Sequence, residues 1–122
     1  MVCVPDVSAR LWWVVTGGYA VVIAVLAVLP PSPGVAVGQL DKLAHLCEYA
    51  LFAWCLRRAA RASAFSRSSE LLLALGFSIT YGALLEGVQG LLGYRSAEWG
   101  DIMANAIGAL LGTWLTRHAT TA

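Results

Sequence analysis

The stretch "DKLAHLCEYALFAW", Asp41–Trp54, decides the fold. Its second half is an apolar run with no helix breaker. Its first half sets Asp41, Lys42, His45 and Glu48 close together at one end. Such a segment is either the exposed helix of a soluble domain or a membrane helix with a polar end. Composition chooses between them. The chain has 122 residues, 59% hydrophobic and 12% charged, whereas soluble domains run about 45–50% apolar and about 25% charged. Too little charge is present to cover a water-exposed surface, so lipid is the expected solvent for most of the chain. The length allows a single domain, residues 1–122. A net charge of +1 gives no general attraction to nucleic acid, and no such partner is expected.

Working outward, three more apolar segments appear. Leu11 to Leu29 carries no charge and is closed by "PPSPG". It approaches the roughly 20 residues a span needs and exceeds a signal-peptide core, so it reads as an uncleaved first helix. The spacing predicts helices over about 11–29, 42–60, 70–92 and 99–116. The segment beginning at Lys42 is apolar to Leu56 and passes into "RRAARASAFSR", read as a basic polar loop. The expected fold class is an all-α membrane protein, a four-helix transmembrane bundle. Cys3, Cys47 and Cys55 are expected to be reduced packing residues. The last two stand about 12 Å apart along one helix, beyond the roughly 7 Å that a disulfide spans.

Lys and Arg give the orientation. Arg10, Arg57, Arg58, Arg61, Arg67 and Arg117 fall on one side; only Lys42 and Arg95 fall on the other. Basic short loops stay in the cytoplasm. Both termini are therefore expected inside, in a multi-pass protein of the bacterial cytoplasmic membrane. Asp41, Glu48, Glu86, Glu98 and Asp101 then gather toward the outer end.

Each of three helices carries these groups on one face. Asp41, His45 and Glu48 are spaced four and three, as are Gly82, Glu86 and Gln89. Asp101, Asn105, Gly108 and Gly112 follow four, three, four. Residues at such spacings share a face. Ionisable groups exposed to lipid cost several kcal/mol, so they turn inward. The three faces are expected to meet in one outward-facing polar pocket. Ala104, Gly108 and Gly112 form a small-residue ladder for close helix approach. The five tryptophans lie near helix ends as interfacial anchors, with Trp99 beside the pocket. The inner half offers only Ser78 and Thr80 as polar candidates, which argues against a transporter.

"DKLAHLCEY", "YGALLEGVQ" and "YRSAEWGDIMANAIGALLG" together resemble the VanZ-like family of small bacterial membrane proteins. The combined order of AH-x-x-EY, E-x-x-Q and RS-x-x-x-x-D-x-x-AN-x-x-G carries the resemblance. The motif positions fall on Lys42, His45, Glu48, Tyr49, Glu86, Gln89, Arg95, Ser96, Asp101, Asn105 and Gly108. Two positions depart from the usual pattern: Gly93-Tyr94 stands where many relatives carry Pro-Gly, and Val88 where many carry His. The resemblance implies a membrane protein of the cell envelope. It also brings an association with low-level resistance to the lipoglycopeptide teicoplanin.

Several chemistries fit these residues. His45, Glu48 and Glu86 form a candidate acid–base set, or they are polar glue between helices. Arg95 with Ser96 suits a phosphate or carboxylate, or Arg95 pairs with Glu98 or Asp101. Lys42, Tyr49, Gln89, Asp101 and Asn105 complete the candidate ligand-binding set. His45, Glu48, Glu86 and Asp101 supply metal-ligand types, but His-x-x-Glu reverses the usual bundle order; no metal or other cofactor is expected. The function expected is binding, with or without chemical modification, of an anionic amphiphile such as a lipid-linked envelope precursor. The rival is a non-enzymatic accessory protein in which these residues only hold helices together. Sequence leaves the choice between enzyme and binder, and the oligomeric state, open.

Overall fold

The computed structural model describes residues 7–29, 39–93 and 99–119, with side-chain surroundings given for 7–29, 42–93 and 99–116. The described residues form four helices and no strand: α1 (Val7–Val28), α2 (Gln39–Ala62), α3 (Arg67–Leu92) and α4 (Trp99–Ala119). Two of them, α1 and α3, are long and apolar enough to cross a membrane. α2 and α4 carry the polar motifs, which lower their hydropathy. Large apolar side chains such as Val14, Leu72, Leu84 and Leu91 point outward.

Cross-helix contacts fix the directions. Tyr19 meets Glu48 and Trp13 meets Ser63, so α1 and α2 are antiparallel. Tyr81 meets Ala20 and Gln89 meets Ala27, so α3 runs parallel to α1. Gly108 lies on Leu46 and Gly112 on Ala50, so α4 runs parallel to α2. The helices alternate in direction.

α2 is the central element. One side packs on α1 and α3 around Phe52, which is fully buried beneath the rings of Tyr19, Tyr49, Phe77 and Tyr81, centroids 5.3–6.2 Å away. The other side meets α4 backbone to backbone. A Cβ on Gly108 or Gly112 would collide with the main chain of Leu46 or Ala50. The small-residue ladder therefore brings the polar faces of α2 and α4 within reach of each other.

The second helix differs from expectation at its end. α2 continues to Ala62, about two residues past the expected end near 60, so Arg61 is helical along with Arg57 and Arg58 and the basic loop begins later than the start of the arginine run. Arg57 is 2% exposed. Its Nε donates to Glu70 Oε2 at 3.3 Å, and Nη1 donates to the Thr113 carbonyl. Arg61 reaches both Glu70 oxygens at 3.4 Å and the Thr116 carbonyl. The two arginines thus tie α2 to α3 through the Glu70 carboxylate and to α4 through its carbonyls. Buried Arg57, Glu70, Thr113 and Thr116 also correct the view that this end lacks polar groups. Long arginine stems can run along apolar surface while the head group finds partners, so arginine need not end a helix.

α3 contains a π-helical stretch at Leu72–Phe77. Its buried positions are Glu70, Ala74, Ser78, Gly82, Glu86 and Gln89. Four-residue steps in an α-helix drift by about 40° each, and four such steps would carry the stripe well around the helix. The slower-turning π geometry takes back part of that drift. Glu70 at one end and Glu86 at the other therefore stay on one face. Gly93, at φ 79°, closes the helix in the left-handed conformation glycine favours.

Candidate functional site

A cavity of about 180 Å³ lies between the helices at the end opposite the arginines. α2 contributes His45, Glu48 and Tyr49, α3 contributes Gly82, Glu86 and Gln89, and α4 contributes Asn105. α1 supplies the remaining wall with Ile23, Leu26 and Ala27.

The local sequence explains each placement. His45, Glu48 and Tyr49 are three and four apart and share one face of α2. Tyr49 is buried, edge-on to Phe52 with centroids 6.2 Å apart. That contact fixes the ring and the backbone beneath Glu48. The Glu48 carbonyl accepts a bond from the Tyr19 hydroxyl at 3.0 Å. On α3, Glu86 is 2% exposed and Gln89 is buried with it. The Gln89 amide donates to the Ala27 carbonyl at 3.0 Å, anchoring α3 to α1. Gly82 is required by its neighbours: a Cβ there would lie 2.8 Å from Asn105 Nδ2 and 3.0 Å from the Tyr49 ring.

Asn105 is 2% exposed and lines the cavity, with its Oδ1 making no hydrogen bond among the described residues. A buried acceptor left without a donor costs about 1–3 kcal/mol. Asp101, also buried, stands behind the cavity, its Oδ2 3.8 Å from His45 Nε2. At that separation the contact is electrostatic rather than a hydrogen bond, and it orients the imidazole.

Most of the candidate set therefore converges. His45, Glu48, Tyr49, Glu86, Gln89 and Asn105 line one cavity, and Asp101 joins it through His45. Lys42 does not line it; its side chain lies against Gly100 at the start of α4. Arg95, Ser96 and Glu98 lie outside the described residues, as does the side chain of Asp41. Trp99 is 82% exposed and does not border the cavity. Among the described residues no three His, Cys, Asp or Glu side chains gather as metal ligands, so His45, Glu48, Glu86 and Asp101 do not form a coordination set. Cys47 is exposed and Cys55 buried, both as free thiols, while Cys3 is outside the described residues.

Sequence reasoning missed α1 as a cavity wall. Ala27 contributes a carbonyl, and nothing in its side chain signals that. The Arg57–Glu70–Arg61 cluster was also missed, although it carries a signal. Arg57 and Arg61 are four apart, and Glu70 follows across a short turn, where antiparallel helices would bring it back.

The sequence profile described as VanZ/LLP1 matches residues 5–120. The chain belongs to the VanZ/LLP1 family. The match takes in all four helices, so α1 lies within the family domain. Family membership agrees with a membrane location and with the two long apolar helices. Neither a curated protein nor a solved structure matches the chain.

Proposed function

We propose that this VanZ/LLP1 protein is a multi-pass membrane protein with both termini cytoplasmic. Its polar cavity opens outward and receives the head group of an amphiphilic envelope molecule. The observation that carries the reading is the convergence of His45, Glu48, Glu86, Gln89 and Asn105, from three helices, on one cavity. The apolar outer faces and the uneven distribution of Lys and Arg support the membrane location and its orientation.

Size and charge refine the ligand. About 180 Å³ is less than the 300–1,000 Å³ of ordinary ligand pockets. It suits part of a head group, with the lipid tail outside between helices. The lining is rich in acceptors and acids, so the part that enters is a hydrogen-bond donor such as a sugar hydroxyl or an ammonium. A phosphate would stay outside the cavity, and the motif residues Lys42, Arg95 and Ser96 are the candidates to receive one. His45, Glu48 and Glu86 supply a base and acids where such a donor would lie, a placement that serves either binding or proton transfer.

A second reading is favoured by the bonds already present. Gln89 to Ala27 and His45 to Asp101 join helices without any ligand, as an accessory protein held together by polar contacts would require. Binding of lipid-linked and free sugar phosphates to purified wild type, Asn105→Ala, Glu86→Gln and Arg95→Lys separates the readings. Head-group capture predicts at least tenfold weaker binding for each variant, the loss of one charge-assisted bond of about 1.5–3 kcal/mol. No binding by wild type, or equal binding by all four, leaves the accessory role. Teicoplanin susceptibility of cells with and without the gene tests the resistance association, which rests on the family alone.

A further inference from the structure

Three arginines close α2, and they do not share one environment. Arg57 and Arg61 are held by Glu70 and by α4 carbonyls. Arg58 turns the other way and lies beside a pair of tryptophans that meet edge-on, its guanidinium carbon 5.4 Å from the Trp12 ring and 5.2 Å from the Trp54 ring. Among the described residues no carboxylate pairs with it, and its buried Nε makes no hydrogen bond. The two rings, 5.4 Å apart, hold the guanidinium from one side. Its Nη groups remain, and such a pair takes a phosphate by two parallel bonds.

The same two tryptophans line a groove of about 390 Å³ between α1 and α2, with Leu11, Val15, Leu51 and Cys55. Its lining is wholly apolar. Tyr19 closes the far end with its ring, since its hydroxyl is bonded to the Glu48 carbonyl. On α2, Trp54, Cys55 and Arg58 follow Leu51 by three, four and seven residues, a single stripe ending in the cation. An apolar slot with a guanidinium at one end has the layout of a lipid: tail, then phosphate.

We infer that this groove is a binding site for an anionic phospholipid of the surrounding bilayer, with an acyl chain along the groove and the phosphate on the edge of Arg58. This rests on the membrane location and not on the cavity at the other end. An extended peptide would find no polar partner in the groove for its backbone groups. A zwitterionic lipid carries the phosphate too, but its cationic end would meet three arginines offset, among the described residues, by the carboxylate of Glu70. Charge therefore selects a net-negative head group.

The test is tryptophan quenching in vesicles carrying dibrominated phosphatidylglycerol or dibrominated phosphatidylcholine, each at the same fraction in the other, unbrominated lipid. The contribution of Trp54 is the difference between wild type and Trp54→Phe. The charge difference between the two head groups should give phosphatidylglycerol a preference of about tenfold at this site. Arg58→Gln should reduce it to within about twofold, and Arg58→Lys should keep the preference but weaken quenching by both lipids severalfold, since the two-pronged phosphate bond is lost. Leu51→Phe, which fills the groove, should weaken quenching by both lipids. Equal quenching by both lipids in wild type overturns the assignment. So does an undiminished preference in Arg58→Gln or, if that variant does not fold, undiminished quenching by both lipids in Arg58→Lys.

Discussion

Gly112→Ala should destabilise this protein although alanine is the better helix former. A Cβ at Gly112 would lie 2.7 Å from the carbonyl carbon of Ala50 and 2.9 Å from its Cα, and closer still to its oxygen. All three are α2 main-chain atoms, so no side chain can rotate away. Restoring ordinary contact moves α4 from α2 by about 1 Å, and gaps of 0.5–1 Å forfeit a quarter to a half of each contact's dispersion energy. Overpacking of this kind costs about 1–3 kcal/mol. Gly87 provides the control: it is helical and exposed, with nothing within 4 Å of a built Cβ. Both substitutions gain helix propensity of up to about 1 kcal/mol, so subtracting one from the other isolates the collision. Unfolding by SDS in mixed micelles should place Gly112→Ala about 1–3 kcal/mol below Gly87→Ala. Ala50→Gly should not rescue it, because the obstacle is backbone. Equal stability of the two alanine variants, or rescue by Ala50→Gly, would refute the close backbone packing of α2 and α4.

Three further outcomes are expected. Glu70→Leu leaves buried Arg57 without its counter-charge and should cost about 3–5 kcal/mol in the same assay; Arg57→Met with Glu70→Leu should recover most of that, and a purely additive double variant would contradict the coupling. Ser78 is fully buried and its hydroxyl makes no hydrogen bond among the described residues; Ser78→Ala should therefore gain about 1 kcal/mol, whereas a loss would mean that the hydroxyl is bonded. A single cysteine placed in the 34–39 segment of a variant lacking the native thiols should react with an impermeant thiol reagent in intact cells, and labelling only after lysis would reverse the proposed orientation.

The sequence by itself determined the faces. Helical spacing puts His45, Glu48 and Tyr49 together, and likewise Glu86 with Gln89 and Asp101 with Asn105, because a repeat of three and four residues is a local property of one helix. Composition marked the chain as apolar throughout, and the ordered motifs pointed to the family that the profile match then gave. Only the tertiary structure decided which faces meet. It made α1 a wall of the cavity through a backbone carbonyl, which no side-chain pattern encodes. It placed Arg57 in the interior with Glu70, since an arginine's burial depends on whether a carboxylate from another helix arrives beside it. It also set the π stretch in α3, where packing against α2 and α4 holds a four-residue stripe that a regular α-helix would let drift. Periodicity acts within a helix; partners, depth and the small changes in winding that bring them into register come from the helices around it.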